Sequence, residues 1–238
     1  MKAAFISDIH GNVFALEAVL DDIAKKQIDQ IFLLGDLCFR GPNPKQALDL
    51  IRSLNANVIK GNADEWVVRG IHKGEVPDEV LDVMRKEREW TVAHLDAMDI
   101  DYLQNLPETL HLDLNGTDIL AFHATPNSLF DIIRPDTDDF HLEKGLMAGN
   151  DAHLFIYGHI HLPYIRFLNG KAVLNIGSVG LPFDGQAKAS YGIVAAENGN
   201  VQVSIERVNY DIEKTVQQYL ESDYPNNAMV DVVRNGRL

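Results

Sequence analysis

A chain of 238 residues with 46% apolar and 24% charged side chains can bury a sizeable core, which excludes disordered, collagen-like and disulfide-stapled classes. Its net charge of −14, from 35 acidic against 21 basic residues, is the wrong sign for gripping long nucleic acids; a small phosphate ester fits only where bound metal ions supply local positive charge. Cys38, the single cysteine, suits a reducing, cytoplasmic setting, no apolar run reaches the ~20 residues of a membrane span, and Asp8 comes too early for a secretory leader.

Lys2 to Ser7 reads as a buried strand. Phe14 to Lys25 then places Leu16, Val19, Leu20 and Ile23 on one helical face. Gln30 to Leu34 is a second apolar strand. Asn43 caps a helix that opens at Pro44 and buries Ala47, Leu50, Ile51 and Leu54, and Asn57 to Lys60 is a third strand. Strand, helix, strand, helix, strand implies parallel strands joined by right-handed crossovers. Residues 64–106 are charged and rich in helix formers, a helical segment packed over the body. From His111 the chain turns β-rich, and Asn115-Gly116 and Asn169-Gly170 sit between strand-like runs as hairpin turns. Asp211 caps a last helix to about Glu221, and nothing is read beyond Pro225. One domain over 1–238, with two packed sheets and helices outside, accommodates these elements.

The chemistry gathers where strands stop. The first strand runs into Asp8-Ile9-His10-Gly11-Asn12, the second into Gly35-Asp36 and the third into Gly61-Asn62-Ala63-Asp64; later runs reach Phe122-His123 and Gly158-His159-Ile160-His161. Residues two apart on extended backbone share a face, which pairs Asp8 with His10 and His159 with His161. A lone Asp or His at a strand end is ordinarily a cap or turn former. Five such clusters together, three of them glycine-flanked Asp or Asn and two containing His, are what a metal site at the carboxyl end of an open sheet requires.

The blocks SDIHGN, GDLCFRGPNP, GNAD, HATP, GHIH and NIGSVG resemble the calcineurin-like metallophosphoesterase superfamily, from residue 4 to about residue 220. The likeness is strongest to the small prokaryotic branch of phosphodiesterases and dinucleoside polyphosphate hydrolases. This resemblance implies an α/β fold, a four-layer α/β/β/α sandwich of two mixed sheets. It further implies two divalent ions: Asp8, His10 and His161 on one, Asn62, His123 and His159 on the other, and Asp36 bridging. Asp36, Asn62 and His123 are accordingly the catalytic candidates. Carboxylate, imidazole and amide donors without thiolate suit Mn, Fe, Ni or Zn, with Mn first. Two such ions about 3.5–4 Å apart clamp phosphoryl oxygens while a metal-bridging hydroxide attacks phosphorus in line. The implied substrates are small phosphodiesters or dinucleoside polyphosphates; a phosphomonoesterase or protein phosphatase is the alternative, since GDxxxRGP strings occur there too. A non-enzymatic scaffold of the same fold would lack metal ligands, and here all seven positions are filled. A homo-oligomer is compatible with the sequence; a membrane partner is not expected.

One departure from the resemblance is Ala63. Many members carry a histidine there to protonate the leaving oxygen, and a methyl group donates no proton. Arg40 and Arg134 are the candidate substrate-binding cations. Gly177, Ser178 and Gly180 are expected on a rim opposite the metals. Cys38 is read as a small buried filler, Trp66 and Trp90 as core, and His72, His94, His111, His141 and His153 as ordinary.

Overall fold

The computed structural model describes residues 1–197 and 200–237. The elements run β1 (Lys2–Ile6), α1 (Val13–Ala24), β2 (Gln30–Leu34), α2 (Pro44–Ser53), β3 (Asn57–Ile59) and α3 (Asn62–Arg69). Next come α4 (Asp78–Ala93), α5 (Ala97–Gln104), the hairpin β4 (Thr109–Leu114) and β5 (Thr117–Phe122), and α6 (Asp139–Leu142), which runs into a π-helical turn at Glu143–Met147. β6 (Leu154–Tyr157), β7 (Tyr164–Leu168), β8 (Lys171–Asn175), β9 (Ala189–Glu197), β10 (Asn200–Val208), α7 (Ile212–Glu221) and α8 (Ala228–Asn235) complete the chain. Among the described residues no helix is long and apolar enough to cross a membrane.

Two five-stranded mixed sheets result, ordered β10-β9-β1-β2-β3 and β4-β5-β6-β8-β7. β1, β2 and β3 are parallel, in register Ala3 with Gln30 and Phe32 with Asn57, as strand–helix–strand crossovers require. The second sheet holds its own parallel trio, β5, β6 and β8, flanked by the antiparallel β4 and β7. The central strands are apolar on both faces, and successive residues alternate between the partner sheet and the outer helices. Ala3, Phe5, Phe32, Leu34 and Ile59 meet Ile119, Ala121, Leu154, Ile156 and Leu174 in a shared interior. Ala4, Ile6 and Leu33 point the other way, into helices α1 to α5. Behind the second sheet, Leu120, Phe122, Phe155 and Tyr157 are covered by Leu142, Leu146 and Met147. That outer layer is thin: one short helix and its π-helical turn.

Both Asn-Gly hairpins are present, with φ of 53° and 86° at Asn115-Gly116 and 51° and 77° at Asn169-Gly170. Three expectations need correction. In α2 it is Leu48, not Leu50 or Leu54, that joins Ala47 and Ile51 as buried; Asn43 stands at the cap position but donates its amide to Gln218 instead. The helical segment begins at Asn62, because Asp64 accepts the Gly61 N–H and closes the first turn. Finally, α7 is not the last helix: α8 follows Pro225 and buries Met229, Val230, Val232 and Val233 against Val216 and Tyr219.

Candidate metal centre

The carboxyl ends of five strands deliver the side chains. Asp8 and His10 follow β1, Asp36 follows β2, Asn62 follows β3, His123 follows β5, and His159 and His161 follow β6. All are buried except His159, which is half-buried.

Their convergence does not arise from alternation along extended strands. Asp8, His10, His159 and His161 have φ of 56°, 48°, 66° and 57°, and Asp36 has 55°, all in the left-handed region. A residue with a Cβ is disfavoured there and persists only where its surroundings hold it. Two glycines make that room. A Cβ on Gly61 would overlap the Asp36 carboxylate, and one on Gly158 would overlap Ser7 Oγ and Asp8 Oδ2.

Backbone carbonyls orient three of the imidazoles. His10 Nδ1 donates to Phe39 O at 2.8 Å, His123 Nδ1 to Leu34 O at 2.7 Å, and His161 Nδ1 to Leu181 O. Each ring thereby carries a proton on Nδ1, so that in the neutral form its Nε2 lone pair is aimed inward. Phe183 stacks on the His161 ring, centroids 4.3 Å apart, and donates its N–H to His161 O.

Two adjoining clusters of ligand-type side chains form. In one, ligand atoms of Asp8, His10, Asp36 and His161 all lie within 4.8 Å of one another. His10 Nε2 is 3.2 Å from His161 Nε2 and 3.6 Å from Asp36 Oδ2, His161 Nε2 is 3.0 Å from Asp8 Oδ1, and Asp8 Oδ1 accepts no hydrogen bond. In the other, Asn62 Oδ1 lies 2.8 Å from both His123 Nε2 and His159 Nδ1, with Asp36 Oδ1 3.4 Å from His123 Nε2. His159 Nε2 is buried without a hydrogen-bond partner. Asp36 reaches both clusters, one oxygen to each. Acceptors packed against acceptors in a buried site are costly unless a cation sits among them. This donor set of oxygen and imidazole nitrogen fits divalent metal ions.

A further layer holds Asp36 itself. Asp64 accepts from Asp36 N at 2.8 Å, Leu37 N at 2.9 Å and Gly61 N at 2.9 Å, tying the β2 and β3 loops together. Ala63 contributes its backbone, donating to Asp36 Oδ1 at 2.8 Å, while its methyl is 1% exposed in the helix-side core.

The electrostatics of the metal-free site follow from burial and proximity. Burial, with His161 adding, lowers His10 to about 4; burial and His123 lower His159 likewise to about 4. Burial opposes protonation of His123 too, but the adjacent Asp36 overrides it and pushes His123 up to about 9. Burial acts to raise Asp36 and Asp8, yet their imidazole neighbours, His123 for the first and His161 for the second, hold both below the usual carboxylate range. Burial and then the Asp36 charge push Asp64 up to about 7.

The remaining candidates are not among the clustered side chains. Arg40 pairs with the fully buried Glu87, Nε to Oε2 3.4 Å, and donates Nη2 to Met229 Sδ at 3.3 Å. Arg40 is half-buried and Glu87 wholly so, and a phosphate would have to compete with that carboxylate for the guanidinium. Arg134 is exposed, one residue past Ile133, whose carbonyl accepts from Tyr157 at the end of β6. The NIGSVG loop is no rim: Ser178 is buried and donates to Asp8 O at 2.8 Å, bracing the Asp8 turn from behind. Cys38 and Trp66 are core, and Trp90 donates to Ser222 O. Asp64, the last residue of GNAD, shows in sequence only as one more acid beside Asn62. Glu87 carried one faint signal, its place in the buried stripe Leu81, Met84, Glu87, Thr91 of α4.

Comparison with known proteins points to one family. The sequence model of the calcineurin-like phosphoesterase superfamily domain matches residues 1–199. An uncharacterized protein of Methanocaldococcus jannaschii is 32% identical over an alignment that covers 93% of each chain. Phosphodiesterase YfcE of Escherichia coli is 27% identical over 82% of this chain and 87% of its own. A symmetrical bis(5'-nucleosyl)-tetraphosphatase of Erwinia tasmaniensis is 32% identical over 44% of this chain, which spans only 36% of that relative. Among solved structures, a metallophosphoesterase from Sphaerobacter thermophilus superposes with TM-score 0.80 at 28% identity, covering 99% of both chains. With two facing mixed sheets and a buried Asp/His cluster at their carboxyl edge, the chain belongs to the calcineurin-like phosphoesterase superfamily and is a phosphoester hydrolase.

Proposed function

We propose that this chain is a dinuclear metal-dependent hydrolase of small phosphodiesters or dinucleoside polyphosphates, with Mn as its preferred ion. Asp8, His10 and His161 hold one ion, Asn62, His123 and His159 the other, and Asp36 bridges them. The observation that carries the reading is the packing of bare acceptors: His10 Nε2 against His161 Nε2 at 3.2 Å, beside an Asp8 Oδ1 that accepts no hydrogen bond. Divalent ions held there supply Lewis acidity, offsetting phosphoryl charge and making water a competent nucleophile at neutral pH. The chain's part is to aim lone pairs. The Phe39, Leu34 and Leu181 carbonyls keep the ring protons on the outer nitrogens, and Asp64 holds the Asp36 loop. Burial excludes bulk water from all ligands but His159, whose partial exposure marks the open side.

The names of the phosphodiesterase and tetraphosphatase relatives support the substrate class. Arg134, exposed beyond the end of β5, is assigned to a substrate phosphate, and Cys38 to the interior of a cytoplasmic, reduced protein. The test is a turnover screen of the Mn-loaded protein over phosphodiesters, dinucleoside polyphosphates and phosphomonoesters. Preference for the first two is expected; monoesters turning over faster than both would overturn the substrate assignment.

A further inference from the structure

Arg40 has φ 68°, in the left-handed region, so its backbone needs outside support. It directly follows Phe39, whose carbonyl takes the His10 ring proton at 2.8 Å, and it precedes Gly41, where any Cβ would overlap the His10 carbonyl. Three separate elements grip this one residue. Glu87 of α4 faces Arg40 Nε at 3.4 Å, Met229 of α8 meets Nη2 at 3.3 Å, and Tyr219 of α7 donates its hydroxyl to Arg40 O at 2.7 Å. Glu87 is 0% exposed, and its other oxygen accepts from Asn226 at 2.8 Å. Tyr224, also buried there, adds a hydroxyl rather than a cation. Arg40 is therefore the positive charge that Glu87 meets among the described residues.

We infer that Glu87 is a positioning residue for the metal centre: its pairing with Arg40 fixes the Asp36–Arg40 loop, so that Phe39 presents its carbonyl to His10 and the His10 lone pair points at its ion. Arg40 on this account stays with Glu87 and does not contact the substrate phosphate. The inference rests on the two-ion reading above. It also explains why a carboxylate occupies the buried stripe of α4, where an apolar residue would pack without needing a cation.

The experiment is Mn titration of the metal-free protein by calorimetry, with inorganic phosphate then titrated into the Mn-loaded form. Glu87→Gln should weaken one of the two ions by about 10–100-fold, the range for loss of a ligand's supporting contact, and leave the other within about threefold. Arg40→Gln should weaken the same ion to a similar degree. The Arg40→Gln/Glu87→Gln double variant should be no weaker than either single one, since both remove one interaction. Phosphate affinity of every Mn-saturated variant should match the parent within about twofold. Should Glu87→Gln not fold, Glu87→Asp and Arg40→Lys keep both charges, and each should still weaken that single ion. Mn affinities unchanged in these variants overturn the inference. So does Arg40→Gln losing phosphate affinity about tenfold with Mn binding intact, because Arg40 would then be a substrate contact. A parent protein binding fewer than two Mn overturns the two-ion reading itself and the inference with it.

Discussion

His10 and His161, 151 positions apart in the chain, point their Nε2 atoms at each other across 3.2 Å. With both outer nitrogens donating to carbonyls, two lone pairs face one another in a buried space beside Asp8 and Asp36. Only a shared cation, or protonation of one ring, relieves that arrangement, and burial disfavours the proton on His10.

Asp36 reaches both clusters, so Asp36→Ala should disturb both ions at once. Mn counting on the purified variant is expected to show loss of both equivalents, with less than about a tenth of parental activity remaining. Two Mn bound with activity above that level would contradict the bridge.

His159 and His161 are separated by one residue but enter different clusters, the first beside Asn62 and the second beside Asp8. His159→Ala and His161→Ala should each lose about one metal equivalent, and a substoichiometric Mn spectrum should differ between them. Loss of both ions from each variant would merge the two clusters into one site.

Asp64 accepts three backbone N–H groups, and an amide offers a single acceptor oxygen in place of a carboxylate's two. Asp64→Asn should cost about 1–3 kcal/mol in urea unfolding for the groups left unpaired, and weaken Mn binding roughly 10-fold or more. Parental Mn affinity in a folded Asp64→Asn protein would show that the Asp36 loop needs no such anchor.

The metal-free protein should be most stable near pH 6.5. His10 and His159 are lowered from 6.5 to about 4, so as pH falls through that window the unfolded chain takes up two protons that the folded chain refuses. Asp64, raised to about 7, opposes this by one proton, which leaves a net loss of stability toward pH 4. His123, raised to about 9, contributes stability that is complete below 6.5 and is lost as pH rises through 9. Urea midpoints in chelator at pH 5, 6.5 and 8.5 should therefore peak in the middle. A monotonic series would mean that these imidazoles do not titrate as their surroundings dictate.

Ala63 supplies a backbone donor to Asp36 and no side-chain acid. Hydrolysis should then depend steeply on leaving-group pKa, because general-acid help worth roughly 10²–10⁴-fold is missing. Aryl diesters and polyphosphate anhydrides should react well and alkyl monoesters poorly. Rates over a graded series check this, and a flat series with chemistry rate-limiting would reveal another donor. Ala63→His is a poor control, since the Ala63 methyl is buried in the helix-side core.

Local chemistry made the strands, the two Asn-Gly hairpins and the strand-end clusters of Asp, Asn and His legible in the sequence, because apolar runs and turn residues each leave a mark within a few positions, and the family resemblance picked seven candidate ligands from those clusters. Tertiary structure alone decided what joins them. The left-handed turns that aim Asp8, His10, His159 and His161 fall on residues that ordinarily avoid that conformation, so extended pairing was the natural but mistaken geometry. The carbonyls of Leu34, Phe39 and Leu181 have no side-chain signature at all. Helix α8 shows too few turns for its period to stand out, and Glu87 reads as one more surface charge until folding brings Arg40 from 47 residues away to meet it. Each depends on where distant backbone lands, which is set by the packing of two whole sheets rather than by any short stretch of chain.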